Sequence, residues 1–211
     1  FYMPQLAKVK SELEDPLEAW SEVSYIVWKY NSTHYAARNM STLMVEVLST
    51  SASYTIQSAI NALTSGQKLF VKSGTYVGSI DVTKGIIIEG EGEATVIQLP
   101  NGANDQVIDI RASNVTIRNL KLVGNRANQN PASPEYCNGI KAFVGTTVNY
   151  VTIENVRVTD VYNHGIAMGT TDRHVYYWWV RNCVVDYCKA NGFVAGHATY
   201  VWIENNDVSH C

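Results

Sequence analysis

The first sixty-five residues contain no glycine, and cysteine does not occur before Cys137, although the chain holds 14 glycines and 4 cysteines in its 211 residues. Residues 1 to 50 are therefore a different kind of segment from the rest. A basic run is also missing: the net charge is −3, and no stripe of Lys and Arg supplies the electrostatic footprint of a nucleic-acid binder. Long apolar runs are absent too. VYYWWV at 175 to 180 is among the longest and is far too short to span a bilayer, so no membrane span is expected in this chain. His164, His174, His197 and His210 form no zinc spacing with the cysteines, and no metal site is expected. A signal-peptide pattern is likewise lacking, and Phe1 in place of an initiator Met is compatible with a leader already removed.

What is present is a repeat. The stretches NVTIRN (114 to 119), YVTIEN (150 to 155), YWWVRN (177 to 182) and YVWIEN (200 to 205) end on Asn119, Asn155, Asn182 and Asn205, at intervals of 36, 27 and 23 residues. Repeats of that length around a strand-like core indicate a solenoid. Ile117, Ile153, Val180 and Ile203 stand two places before the Asn, and Val115, Val151, Trp178 and Val201 four places before it. Strand alternation turns both sets inward. GIIIEG at 85 to 90 adds one earlier copy, with Ile86 and Ile88 inward and Gly90 in place of Asn, giving about five coils.

Ahead of the repeats, the spacing predicts a helix around residues 4 to 22, with Leu6, Val9, Leu13, Leu17 and Trp20 on one side, then strand-like SYIVWKY and TLMVEVL. This flank reads equally as a small domain or as an arm to a neighbour. Residues 51 to 66 predict a second helix, with serines at its start, Ile56, Ala59, Ile60 and Leu63 in one stripe, and Gly66 to end it. An open solenoid end exposes apolar side chains and strand edges, so this helix is expected to cap the N-terminal coil. The division is thus a flank over 1 to 50, a capping helix over 51 to 66 and a solenoid over 67 to 211. The chain stops at Cys211 inside a coil, as a fragment would, or as an end that meets another chain.

The succession of a cap helix, KLFVKSGTY (68 to 76), IIIEGEGEATVI (86 to 97) and coils of VTIxN resembles the right-handed parallel β-helix proteins of the pectin-lyase-like superfamily. The resemblance covers roughly residues 51 to 211 and implies an all-β solenoid. It does not imply one activity, because that superfamily includes pectate lyases, polygalacturonases, phage tailspikes and cell-surface proteins.

Residues a whole coil apart become neighbours about 4.8 Å away. The column just before the Asn then reads Glu89, Arg118, Glu154, Arg181, Glu204, alternating in sign. Alternate charges attract both neighbours, so these carboxylates read as ladder charges in preference to a catalytic pair. The Asn column reads as a set of bends, since a short amide tolerates unusual backbone angles and bonds its neighbours above and below. The aromatic columns are less neutral. Tyr150, Tyr177 and Tyr200 align one place before the strand, and Trp179 and Trp202 align outward where earlier coils have Thr116 and Thr152. Outward Trp beside outward Trp marks a partner or ligand surface, with carbohydrate a natural ligand for flat rings. The alternative is that the flank or a sister subunit covers it.

A second repeated strand reads CNGIKA (137 to 142), NHGIAMGTT (163 to 171) and NGFVAG (191 to 196). His164 with Gly165 and Ile166 is similar to the HGI element of polygalacturonases. The paired aspartates that such hydrolysis needs are missing: Cys137 and Asn138 stand one coil earlier, and Gln106 stands at the first matching place. Asp105 and Asp109 lie nearby but out of that register. Asn138, His164 and Asn191 read as a polar column at a turn. A lyase remains the other enzymatic reading, with a base beside a uronate carboxylate and a cation to hold the charge. Asp160, His164, Asp186, Lys189, Arg157 and Tyr187 offer the residue types, which are also those of solvated turns. Only on the lyase reading would Ca2+ be a cofactor; otherwise none is expected. The insert from Asn125 to Tyr136 would wall a groove or form a variable loop.

Cys188 and Cys211 share a column, as stacked inward thiols or, if their side chains turn together, as a disulfide. Asn31, Asn39 and Asn114 fall in Asn-x-Ser/Thr sites, a pattern too common to prove secretion. Two function classes follow. One is an extracellular, cell-surface or virion-surface β-helix that binds glycan or a surface partner, as a homo-oligomer if it serves as a spike. The other is a polysaccharide-degrading enzyme.

Overall fold

A computed structural model of the chain describes residues 22–130, 136–143, 145, 147–169 and 174–211. The helix expected around residues 4 to 22 lies outside them apart from Glu22, and so do residues 131–135 of the expected insert. From the N-terminus the elements are β1 (Tyr25–Lys29), β2 (Tyr35–Asn39), β3 (Val45–Ser49), the helix α1 (Ala52–Ala62), β4 (Lys68–Val71), β5 (Gly74–Val77), β6 (Ile80–Val82), β7 (Ile87–Gly90), β8 (Thr95–Gln98) and β9 (Ile108–Ile110). The chain continues through β10 (Val115–Val123), β11 (Ile140–Ala142), β12 (Val151–Val161), β13 (Ile166–Met168), β14 (Val175–Arg181), β15 (Val184–Cys188), β16 (Phe193–Ala195), β17 (Ala198–Glu204) and β18 (Asp207–Ser209).

These strands stack as three parallel ladders. The first runs through β4, β7, the first half of β10, the first half of β12, β14 and β17. The second runs through β5, β8, the second halves of β10 and β12, β15 and β18. The third joins β6, β9, β11, β13 and β16. The fold is a parallel β-helix. The corner between the first two ladders is the asparagine position, where Asn119, Asn155, Asn182 and Asn205 take φ of 56°, 52°, 54° and 53°. Asparagine tolerates this left-handed region better than most side chains because its short amide bonds locally. Asn155 Nδ2 donates to Asn119 Oδ1 at 3.2 Å, and Asn119 Nδ2 to Glu89 Oε1 at 3.2 Å, so the corner residues also bond along the stack.

Alternation fills the interior as the pattern requires. Leu69, Ile88, Ile117, Ile153 and Val180 form one fully buried column, and Ile108, Ile140 and Ile166 another on the third ladder. Each such side chain contributes about 1.5–3 kcal/mol by burial, against 0–1 kcal/mol for an exposed ion pair, so the core holds the coils together and outward charges adjust them. Glycine is required where coils come closest: a Cβ on Gly165 would lie 2.6 Å from the Gly192 carbonyl oxygen and 2.3 Å from Val185 Cγ1.

Helix α1 starts as expected, with Ser51 Oγ accepting the Tyr54 N–H at 3.2 Å, and buries Ile56, Ala59 and Ile60. It ends sooner than Gly66. Lys84 Nζ donates to the carbonyls of Asn61 and Leu63 at 2.5 Å each, and Gln67 Oε1 takes the Thr64 N–H at 2.7 Å, so the final turn is closed by side chains. Gly66, with φ of 87°, instead makes the turn into β4. The flank contributes β1, which pairs parallel to β4, and the antiparallel strands β2 and β3 beyond it. YAARN, which shows no clear alternation, is the strand β2 that its sequence did not announce.

Candidate functional site

The outer surface of the first ladder changes character toward β14 and β17. Trp179 and Trp202 are register partners, with ring centroids 4.8 Å apart and planes within 4°. Tyr150 stacks on Tyr177 at 4.9 Å, and Tyr177 on Tyr200 at 5.0 Å. The two columns run side by side, with Tyr177 6.5 Å from Trp179 and Tyr200 6.5 Å from Trp202. His174 extends the surface against Tyr176 at 4.8 Å, and its Nε2 meets the Thr199 hydroxyl. Trp178, between these residues in sequence, points the other way: it is fully buried and donates Nε1–H to the Val148 carbonyl at 2.9 Å.

Two details differ from the sequence expectation. Tyr177 and Tyr200 lie inside β14 and β17 and do not precede them; only Tyr150 stands just ahead of its strand. All three tyrosines sit at positive φ, 58°, 61° and 57°, a conformation that costs a bulky side chain on the order of 1–2 kcal/mol. Each ring pair contributes roughly 0.5–1.5 kcal/mol, so the two tyrosine pairs offset only part of the strain. The second detail is orientation. Neighbouring rings turn their faces to each other, so the wall presents mainly ring edges and hydroxyls, and open flat faces of the kind expected for sugar stacking remain only at the ends of the columns. Tyr150 and Tyr200 are half exposed, and Trp202 also reaches solvent. The described flank does not cover the wall, because β1 to β3 lie at the far end of the same sheet.

Beside the wall runs the charge column. Arg118 pairs with Glu154 and Glu89 in register, and Arg181 with Glu154 and Glu204. Direct ion pairs close between Arg118 and Glu89 at 2.8 Å and between Arg181 and Glu154 at 2.9 Å. Burial pushes the Glu89 carboxyl upward, but Arg118 and Lys68 outweigh it and hold it below its ordinary range.

The residues named for lyase chemistry are distributed among separate partners. Arg157 Nη2 donates to Asp186 Oδ2 at 2.7 Å and Arg157 Nη1 to Glu93 at 3.2 Å; the bond to Asp186 leads the causes that raise the guanidinium further. Asp160, at φ of 55°, accepts the Arg126 backbone N–H at 3.2 Å. Lys189 lies over the Tyr162 ring at 3.9 Å, and Tyr187 stacks on His210 at 4.7 Å. His164 belongs to a relay along the entrance to the third ladder. Gln106 Oε1 accepts from Asn138 Nδ2 at 2.7 Å, Asn138 Oδ1 from the His164 N–H at 3.1 Å, and His164 Nδ1 from the Asn191 N–H at 3.3 Å. The structure thus brings Arg157 to Asp186, but it holds His164, Asp160 and Lys189 in different settings.

A charged cluster that sequence reasoning missed lies on the third ladder. Asp109, out of register with the catalytic places of polygalacturonases, is in register with Asp81 and Lys141. Arg111 Nη2 reaches Asp81 Oδ1 and Asp109 Oδ2 at 3.1 Å each and lies 4.1 Å over the Phe143 ring. Asp109 is 6% exposed, and its buried Oδ1 has no hydrogen bond among the described residues. Burial pushes its carboxyl up to about 7; Asp81 and Asp105 add to this while Arg111 and Lys141 oppose it. The signal was present in the recurring tripeptides IDV, IDI and IKA at 80, 108 and 140.

The cysteines are free thiols; Cys183, pushed up to about 11 by burial, is inert at neutral pH, and Cys188 is raised further by burial and by Cys211. Among the described residues, no cluster of three or more His, Cys, Asp or Glu could hold a metal, and no helix is long and apolar enough to cross a membrane.

No protein-family model and no curated protein sequence matches the chain. Among solved structures it is similar to the A-module of mannuronan C-5 epimerase AlgE4 from Azotobacter vinelandii, at 25% identity and a TM-score of 0.61 over 73% of this chain and 46% of that one. The AlgE6 A-module from the same organism gives 24% identity and a TM-score of 0.61, over 74% and 45%. The chain therefore spans about half the length of these modules. Both are parallel β-helix proteins, and the fold here is that of the pectin-lyase-like β-helices.

Proposed function

We propose that the chain is a carbohydrate-binding β-helix module of an extracellular, cell or virion surface, with the wall on β12, β14 and β17 as its contact face. The observation that supports this most is the choice of tyrosine at three strained left-handed positions. The left-handed conformation alone is served by asparagine, as at Asn114, so the tyrosines answer to something outside the backbone. In this reading α1 caps the first of about five coils, the flank of residues 1 to 50 extends the covered end, and display as a homo-oligomer suits the exposed wall. Replacing Trp179 and Trp202 together by Ala tests the contact face: glycan or partner affinity should fall at least tenfold with the fold intact, and unaltered binding removes the assignment.

A second reading, a polysaccharide lyase or related uronate-modifying enzyme, is favoured by Asp109, whose raised carboxyl stands beside two cations as a proton-abstracting base would. The AlgE4 module, named for a mannuronan epimerase, is in keeping with it. Against it stands the burial of Asp109, which keeps a polymer from its carboxyl. Incubation with polyuronates, watched for absorbance of unsaturated product or for a changed uronate ratio, separates the readings; robust turnover lost in Asp109→Asn would favour the enzyme.

A further inference from the structure

Resting on the glycan-binding reading, we propose that the wall takes a neutral, linear glycan that runs along the stack of strands with one sugar per strand. Its hydroxyls bond the tyrosine row, and its apolar C–H surface packs beside the tryptophans.

The periodicity argues for the linear ligand. Tyr150, Tyr177 and Tyr200 follow each other at 4.9 and 5.0 Å, and Trp179 and Trp202 at 4.8 Å. Among the described residues, none of the three tyrosine hydroxyls has a protein partner, although each can donate and accept. Because neighbouring rings face one another, the outward side of the tyrosine column is a row of identical polar groups repeated at one interval. A repeating row selects a repeating ligand, and an extended 1→4-linked hexopyranose chain advances by about one strand spacing per residue.

Charge argues for a neutral one. A polyuronate presents a carboxylate on every sugar and is recognised by cations, best by Arg in a bidentate fork. Arg181 borders the wall but is engaged by Glu154 at 2.9 Å, and the next coil adds Glu204, not a base. On the other border, His174 is bonded to Thr199 and lies near His197. Among the described residues the wall therefore offers a polyanion no uncommitted Arg or Lys and faces it with an exposed carboxylate. The Arg111 and Lys141 cations stand on a different ladder.

The test is titration of the chain with 1→4-linked gluco-, xylo- and manno-oligosaccharides of one to six residues, beside mannuronate and galacturonate chains of the same lengths, followed by calorimetry. Affinity should rise at least tenfold from one sugar to three and then level off, with at least tenfold preference for neutral chains. Tyr177→Phe, which keeps the ring stack and removes the middle hydroxyl, should weaken the trisaccharide roughly two- to tenfold. Equal or tighter binding of uronates, or a monosaccharide that binds as well as the trimer, overturns the proposal while leaving glycan binding in place. If no glycan of either kind binds, both fall.

Discussion

At the left-handed residue just ahead of Val115, Val151, Trp178 and Val201 on the first ladder, an early coil has Asn114 and the three later ones have Tyr150, Tyr177 and Tyr200, at φ of 62°, 58°, 61° and 57°. The outward position two residues on changes one coil later, from Thr116 and Thr152 to Trp179 and Trp202. The third ladder changes in the same direction: Asp81, Asp109 and Lys141 occupy its early outward positions, and Ala167 and Val194 its late ones. One backbone geometry thus carries polar and charged groups at one end and aromatic groups at the other. Conformation is dictated by the coil, whereas side-chain chemistry at outward positions is free to specialise.

The largest effect should separate inward from outward tryptophan within β14. Trp178→Ala empties a fully buried site and should destabilise by about 3–5 kcal/mol, read as a lowered melting temperature. Trp179→Ala, one residue on, should cost less than about 1.5 kcal/mol because it loses ring pairs at the surface. Comparable losses would break the distinction.

The charged end should answer to pH. The Asp109 carboxyl stands at about 7 when folded against an ordinary 3.8, so its contribution to stability is fully present below about 3.8 and is lost as pH rises through 7. In denaturant titrations, stability of the native chain relative to Asp109→Asn should fall by on the order of a few kcal/mol between those limits. A difference independent of pH would show that the carboxyl titrates normally. The smallest effect belongs to the charge column, where Arg181→Glu places like charges beside Glu154 and should lower stability by about 1 kcal/mol or less. An unchanged melting temperature would mean that the column carries no energy there.

Much of the architecture could be read from the chain because its signals are local and repeated. VTIEN and VWIEN show inward Ile and Val, outward charge and a corner amide within five letters, and the coils place them in that register. The third ladder was harder. Its strands are only three residues long, and the connections between them vary, so the alignment of Asp81 with Asp109 and Lys141 was hidden although IDV and IDI repeat. Ring orientation was not legible either: sequence placed Tyr177 over Tyr150, but whether a ring shows its face or its edge depends on side-chain torsions. Helix α1 was found by its stripe, yet its end was set by Lys84, distant in sequence.

Sign alternation along Glu89, Arg118, Glu154, Arg181 and Glu204 gives the outer column a repeat of two strands, whereas the aliphatic interior repeats at every one. A parity rule follows for any lengthening or shortening of this molecule. Excising the single unit from Val151 to Tyr177 would seat Arg181 on Arg118, while removing two units would leave Arg118 facing Glu204. Gains and losses of sequence should therefore be tolerated best in even numbers, and tandem duplication of a pair is the step by which such a chain could grow without rewriting its surface.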